Sequence, residues 1–206
     1  MTRELKHDLP IHLILGVVAL LTFYPFIFMV ITSFKTSPQF IHDFWGIAWP
    51  PTLANYTDAW SRISVYLANS ILVSGVSVAG VLVIASVSAF VFARFNFPGR
   101  EFLFFAILAL LMIPGILTLV PTFLLVKRFG LLNTYWVLIL PYISGGQIFA
   151  IFILRSFIAS LPEELFESAR LDGASTLRLF ANIAVPLSKP TLVTIAIMNI
   201  LSTWNE

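Results

Sequence analysis

The chain has 206 residues, of which 59% are hydrophobic and only 11% are charged, and its formal net charge is +2. Soluble domains carry about 25% charged residues, so this composition excludes a soluble globular domain and predicts an integral membrane protein surrounded by lipid. The sequence contains no cysteine, which excludes a disulfide framework and a thiolate metal site within it, and no nucleic-acid partner is expected.

Four uncharged apolar runs are long enough to cross a membrane as helices, which takes about 20 residues. They cover residues 9–34, 63–93, 102–126 and 129–154. We expect the first to be a retained helix rather than a signal peptide, because its apolar run is too long and no small-residue cleavage pattern follows it. A fifth run, 190–205, is shorter and meets the end of the sequence, so we expect the sequence to be a fragment.

Lysine and arginine are distributed unequally over the two sides of the predicted bundle. If the N-terminus is inside, eight lie on the cytoplasmic side: Arg3, Lys6, Arg94, Arg100, Arg155, Arg170, Arg178 and Lys189. The other side then holds Lys35, Arg62, Lys127 and Arg128. Since cytoplasmic loops are enriched in these residues, we predict a cytoplasmic N-terminus. The aromatic connector 35–62 is then outside, as an interfacial anchor or as a contact for an extracytoplasmic partner.

Small residues and prolines mark the predicted spans. Four-residue spacing of small side chains in the second span predicts a face for close helix packing, formed by Gly75, Ala79, Ala85, Ala89 and Ala93. Pro114, Pro121 and Pro141 interrupt the next two spans. These prolines predict kinks, or freed backbone carbonyls that line a cavity.

Several kinds of chemistry have no motif in this sequence. It has no phosphate-binding loop, nucleophile elbow or dinucleotide-binding turn, so we predict that the chain is not an enzyme and does not hydrolyse ATP itself. His7, His12 and His42 lack the spacing of a helix-borne metal site. No charged residue interrupts a complete apolar run, which disfavours an ion-coupled secondary transporter.

The loop between the fourth and fifth runs is charged and helix-forming. It carries four of the ten carboxylates of the chain: Glu163, Glu164, Glu167 and Asp172. We predict a helix that begins at Pro162, with its two acidic residues at the positive end of the dipole, and stops at Gly173 in a left-handed conformation. Ser175 is the expected N-cap of a second short helix. Because the first helix is amphipathic, short and mainly acidic, we expect it to dock in a partner's groove rather than on lipid.

The same loop carries a family motif. Its residues Glu167-Ser-Ala-x-x-Asp-Gly173, followed ten residues after the glycine by Ile183-Ala-Val-Pro186, resemble the cytoplasmic E-A-A–G–I-x-L-P loop of type I, maltose-permease-like ABC importer permeases. Ser168 replaces the first alanine and Val185 the leucine. Further stretches look like the second, six-helix permease of carbohydrate ABC importers: Tyr24-Pro-Phe, Thr32-Ser-Phe-Lys35, Asn69-Ser-Ile-Leu, Phe92-Ala-Arg-Phe, Phe97-Pro-Gly-Arg100 and Gly130-Leu-Leu-Asn-Thr-Tyr135.

This resemblance implies an all-α, polytopic bundle of the type I ABC importer permease fold, with five of six expected helices present. Residues 1–65 would form the first helix and its connector. Residues 66–206 would form a C-terminally truncated permease domain, with a coupling loop at about 156–190. The implied protein is a multi-pass subunit in the plasma membrane of a prokaryote. Its implied partners are a second permease in a heterodimer, two cytoplasmic ABC ATPases that hydrolyse the ATP, and an extracytoplasmic sugar-binding protein. No cofactor is expected on this subunit.

The resemblance also assigns roles to particular residues. The ATPase-coupling residues would be Glu163, Glu164, Glu167, Ser168, Ala169, Asp172, Gly173 and Pro186, on a coupling helix at 162–171. Candidates for a sugar pathway are Tyr142, Gln147, Asn199, Trp204 and Asn205, for which an interhelical hydrogen bond is the alternative fate. An importer permease for a non-sugar solute, an ion-coupled secondary transporter and a non-transporting membrane scaffold remain as alternative functions.

Overall fold

The computed structural model describes residues 2–205, with side chains described from residue 10, and its regular elements over that range are helices. They are α1 (Thr2–Ser33), α2 (Ser37–His42), α3 (Ala54–Arg94), α4 (Arg100–Ala109), a 3-10 turn (Leu110–Met112), α5 (Gly115–Arg128), α6 (Trp136–Ser160), α7 (Glu163–Leu171), α8 (Thr176–Leu179), a π-helical turn (Phe180–Ala184), α9 (Val185–Leu187) and α10 (Lys189–Trp204).

Three single helical segments are long and apolar enough to cross a membrane: Pro10–Ser33, Ala54–Arg94 and Trp136–Ser160. Two further pairs pass the same test together but are bent, Arg100–Met112 with Gly115–Arg128 by 101° and Thr176–Leu187 with Lys189–Trp204 by 71°. The described chain therefore has three to five possible spans. This agrees with the predicted multi-pass membrane protein of helical fold.

The run 102–126 does not form the single span predicted from its apolar length. The helix breaks at Ile113, which is extended with φ −83° and ψ 114°, and α5 begins only after Pro114. A proline disfavours the helical conformation of the residue before it and has no N–H to continue the ladder, which explains a break at this position. Pro121 and Pro141 instead lie inside α5 and α6.

Two other predicted spans have different boundaries. Helix α3 begins at Ala54 and extends over 41 residues. It therefore includes the charged pair Asp58 and Arg62, which lies just before the apolar run 63–93. Helix α6 begins at Trp136, because the chain leaves α5 through Gly130 with φ +69°. The length of an apolar run does not indicate these boundaries, because a helix can continue into polar residues and a loop can lie within an apolar run.

The chain forms two compact units, the first reaching Leu67 and the second beginning at Ala68. In the first unit, Thr36 caps α2 in a reciprocal capping box with Gln39. The ammonium of Lys35 is buried and donates hydrogen bonds to the carbonyls of Asp43 (2.5 Å) and Phe44 (3.1 Å). These contacts order part of the connector that the sequence shows only as polar and aromatic.

The core of the second unit is formed mainly by α3 and α6, with contributions from α4, α10 and the predicted coupling loop. Ala85 and Ala89 are fully buried, and Ala93 packs against the same cluster, so this part of the predicted small-residue face is confirmed. Gly75 and Ala79 are exposed in the described chain, and no atom lies within 4 Å of a Cβ built at Gly75. The buried cluster contains Val81, Ala85, Ala89, Phe90, Phe104, Ala150, Ile151, Leu154, Ile158, Phe166, Leu179, Ala184 and Ile195.

Candidate functional site

Helix α7 lies within the predicted coupling loop, residues 156–190. Pro162 is its N-cap, with φ −56° and ψ 133°, so the helix begins one residue later than predicted, at Glu163. Glu163 and Glu164 occupy the first turn, where the free N–H groups of a helix favour negative charge. The helix has nine residues, fewer than the roughly 12–15 that make an isolated helix marginally stable, so its order depends on packing.

The end of α7 is a Schellman motif. The N–H of Gly173 donates to the carbonyl of Arg170 at 3.0 Å, and the N–H of Ala174 donates to that of Ala169 at 2.9 Å. Gly173 has φ +80°, which confirms the predicted left-handed glycine. The hydroxyl of Ser175 accepts from the N–H of Arg178 at 3.4 Å, which confirms the predicted cap of α8.

Beyond α8 the chain passes through the π-helical turn Phe180–Ala184 before Pro186. In an α-helix a proline clashes with the carbonyl four residues before it, here that of Asn182, which lies within the widened turn. Pro186 itself is exposed, in α9. The motif proline therefore follows a local change of helical geometry, a feature often found at functional sites.

One aromatic side chain anchors α7 on the bundle. Phe166 is completely buried, and its ring lies 6.4 Å from that of Phe90. Leu161, Leu165 and Ala169 follow one another at four-residue spacing; Leu161 and Ala169 pack against the core, but Leu165 is exposed. Ala169 thus permits close approach to the bundle itself.

The four carboxylates of the loop have different surroundings. Glu163 accepts hydrogen bonds from Arg94 and, at 2.9 Å, from Arg170. Glu164, Glu167 and Asp172 are exposed, and their carboxylates form no hydrogen bond or ion pair with the rest of the described chain. Ser168 donates to the carbonyl of Leu165 at 3.3 Å within the helix. The surface of α7 therefore presents three unpaired negative charges to the surroundings.

Arg94 belongs to this site, although its sequence position predicts only a positive charge at the end of a membrane span. Its side chain is 6% exposed, donates to the carbonyls of Ile158 and Leu161 (both 2.7 Å), and lies with Cζ 4.0 Å from the centroid of the Phe166 ring. The signal available in the sequence was its place in the motif Phe92-Ala-Arg-Phe.

A second, partly buried arginine connects α4 with α6. Arg155 donates to the carboxylate of Glu101 at 2.6 Å, and its Cζ lies 3.7 Å from the centroid of the Phe104 ring. Arg100 donates to the same carboxylate at 3.0 Å. These contacts hold the start of the bent span against α6.

A cavity of about 1020 Å³ lies between α5, α6 and α10. Tyr142 and Asn199, two of the predicted pathway residues, line it together, and Asn199 donates from Nδ2 to the carbonyl of Ile195 at 2.9 Å. Hydroxyl groups line it as well, on Thr118, Thr122, Ser202 and Thr203. Within the described chain, none of the side chains that line this cavity is charged.

The other predicted pathway residues do not line this cavity. Gln147 lies on α6, Trp204 is exposed at the end of α10, and Asn205 donates to the carbonyl of Leu201 at 2.7 Å. Pro141 does line the cavity, next to Tyr142 and close to Gly145 and Gly146. The structure thus brings together two of the five candidates and leaves the other three as predictions.

Comparison with known proteins finds a family match over residues 81–206, to the binding-protein-dependent transport system inner membrane components. The chain is 34% identical to a diacetylchitobiose uptake system permease protein of Streptomyces coelicolor, over 95% of this chain and 65% of the relative. It is 32% identical to a trehalose/maltose transport system permease protein of Thermococcus litoralis, over 94% and 72%. It is 31% identical to an arabinooligosaccharides transport system permease protein of Halalkalibacterium halodurans, over 92% and 69%. The chain thus spans about two thirds of the length of these relatives.

Proposed function

Because this chain belongs to the family of binding-protein-dependent transport system inner membrane components, we propose that it is the permease subunit of an ATP-driven importer for a sugar or oligosaccharide. Family membership confirms the class predicted from the loop motif, a membrane transport component of the type I importer permease fold rather than an enzyme. The sugar assignment is supported by the three relatives, which are permeases for diacetylchitobiose, trehalose/maltose and arabinooligosaccharides.

The observation that carries the coupling role is the geometry of α7. A short helix is anchored by Phe166 and closed by a left-handed Gly173, and it presents Glu164, Glu167 and Asp172 to the surroundings. We propose that this helix docks in a groove of an ATPase subunit, with Ser168, Gly173 and Pro186 setting its approach. Closure of the ATPases then moves α7 as a rigid body, and the bundle alternates its access without chemistry in this subunit.

The proposed orientation places the N-terminus and the coupling loop in the cytoplasm, in the plasma membrane of a prokaryote. The excess of Lys and Arg on that side supports it. The proposed complex contains a second permease in a heterodimer, two cytoplasmic ABC ATPases and an extracytoplasmic sugar-binding protein. This subunit binds no cofactor in the proposal, because the partner ATPases bind and hydrolyse the ATP.

The lining of the cavity favours a neutral, hydroxyl-rich solute as the transported molecule. Its lining combines the hydroxyl groups of threonine and serine with the Tyr142 ring and the Asn199 amide, and its described lining carries no charge to pair with an ionic solute. Sugars are recognised by such polar groups next to an aromatic surface. We propose Tyr142 and Asn199 as pathway residues. Gln147, Trp204 and Asn205 remain candidates outside this cavity.

Reconstitution tests the proposal. The full-length protein, its partner permease, the ATPases and the binding protein are placed in proteoliposomes, and uptake of labelled oligosaccharides is compared with that of an amino acid and of phosphate. We expect oligosaccharide uptake that requires hydrolysable ATP and every subunit. Uptake of only the amino acid or phosphate would replace sugar with the alternative solute class. Transport driven by an ion gradient without ATPases would contradict the importer assignment.

A further inference from the structure

We propose that Arg94 is a positioning residue that transmits the movement of α7 to the membrane helices α3 and α6. The inference rests on the proposed docking of α7 and names the part of this chain that connects that helix to the bundle. Arg94 is the last residue of α3, and its guanidinium lies where α6 ends and α7 begins. One side chain of α3 therefore contacts both α6 and α7.

The hydrogen bonds of Arg94 fix the relative placement of these elements. Its Nη2 donates to the carbonyls of Ile158 and Leu161, both at 2.7 Å, in the last turn and at the C-cap of α6. Its Nη1 donates to the carboxylate of Glu163, the first residue of α7. Because a guanidinium is planar and holds its donors in a rigid fork, satisfying these acceptors together sets the angle between α6 and α7.

Burial makes this contact stiff. The Arg94 side chain is 6% exposed, and its Cζ lies 4.0 Å from the centroid of the buried Phe166 ring. Water cannot readily replace the partners of a group that is buried in this way, and hydrogen bonds are electrostatically stronger in such surroundings. By contrast, Arg170 reaches the other oxygen of Glu163 from a position that is 46% exposed, where an ion pair contributes little.

The covalent link between α6 and α7 leaves rotation about the ψ angles of its two residues, so noncovalent contacts complete the definition of the interhelical angle. Only Leu161 and Pro162 separate the two helices, and both are extended, with ψ of 140° and 133°. In the described chain, Leu161, Phe166 and Ala169 hold this segment on the bundle by apolar packing, whereas Arg94 holds the start of α7 by directional hydrogen bonds. A displacement of α7 therefore moves the ends of α3 and α6 through the hydrogen bonds of Arg94.

Substitutions in the full complex test this role. Arg94→Gln removes the charge and the fork, and Arg94→Lys keeps the charge but carries its donors on one nitrogen instead of in a planar fork. The exposed Arg128 of α5 provides a matched control, Arg128→Gln. At equal membrane abundance and equal ATPase co-purification, we expect sugar uptake per ATP hydrolysed to fall by about 5-fold or more in Arg94→Gln, the lower range of allosteric couplings. We expect a smaller fall in Arg94→Lys and none in the control.

A second readout follows the movement itself. The 206 residues contain no cysteine, so Ser202→Cys adds one thiol in the cavity lining once any cysteines elsewhere in the full complex have been replaced by serine. With Arg94 present, trapping the ATPases with ATP and vanadate should change the labelling rate of this thiol. With Arg94→Gln, the change should disappear although the ATPases remain bound.

The outcomes separate this inference from the proposed function. If the unaltered complex shows no ATP-dependent uptake, the proposed function fails. If that complex transports but Arg94→Gln couples normally, or loses uptake only in proportion to lost ATPase binding, the transmission role is overturned. If Arg94→Gln fails to insert into the membrane, Glu163→Gln is used instead, because it removes the same ion pair from the half-exposed side chain. The role then predicts reduced coupling in Glu163→Gln, and normal coupling overturns it.

Discussion

Replacement of Gly173 by valine tests the elbow at the end of α7. Gly173 has φ +80°, which a residue with a Cβ adopts only at a cost of about 1–2 kcal/mol. No atom of the described residues lies within 4 Å of a Cβ built there, so the Cβ itself adds no clash and its cost arises in the backbone.

The backbone can relieve this strain only by giving up contacts. Leaving the left-handed conformation would release the two hydrogen bonds of the Schellman motif, from the N–H groups of Gly173 and Ala174, each with a net value of about 0.5–1.5 kcal/mol. The free-energy cost of keeping the strained left-handed backbone is therefore similar to the cost of losing these two hydrogen bonds. A difference of 1–2 kcal/mol corresponds to a factor of about 5–30 in a population, so a substantial fraction of molecules should hold α7 at a wrong angle.

The assay compares membrane abundance, ATPase co-purification and sugar uptake of Gly173→Val in the full complex. We expect normal abundance, because most of the buried cluster lies on α3 and α6 and does not depend on the elbow, and uptake that is reduced by about 5-fold or more. Gly173→Asn should stay close to the unaltered protein, since asparagine tolerates this conformation. Gly75→Ala, in open space within α3, is the control. Normal uptake by Gly173→Val at normal abundance would refute the mechanical role of the elbow.

Three further predictions concern packing and topology. Gly146→Ala should destabilise the protein by about 1–3 kcal/mol in thermal unfolding, because its Cβ would overlap Oδ1 of Asn199 and lie 2.9 Å from Cγ2 of Val81, whereas Gly145→Ala, with open space, should not. Arg155→Gln should lower the unfolding temperature, since it removes the contacts that hold α4 on α6, a cation–π contact of about 0.5–2 kcal/mol among them; an unchanged temperature would contradict this. A cysteine at Ser175 should react with an impermeant reagent only in inside-out vesicles, and labelling from outside intact cells would reverse the proposed orientation.

Local features were predictable from the sequence. The left-handed Gly173 and the Ser175 cap depend on the conformational freedom of one residue and on hydrogen bonds within a few positions, so the printed order of residues determines them. The apolar runs likewise predict membrane helices, because the length and composition of a segment decide whether it can span lipid. The loop motif, and the family that it indicates, could likewise be predicted from the sequence.

The tertiary structure alone decided which interruptions matter and which distant groups meet. Pro114, Pro121 and Pro141 look alike in the sequence, yet the 101° break lies at Pro114 while the other two stay within helices, because packing on neighbouring elements decides where a chain can bend. Arg94 contacts acceptors 64 to 69 positions away, and the cavity combines residues of α5, α6 and α10. Contacts at such separations carry no local periodicity, so they exist only once the helices have packed.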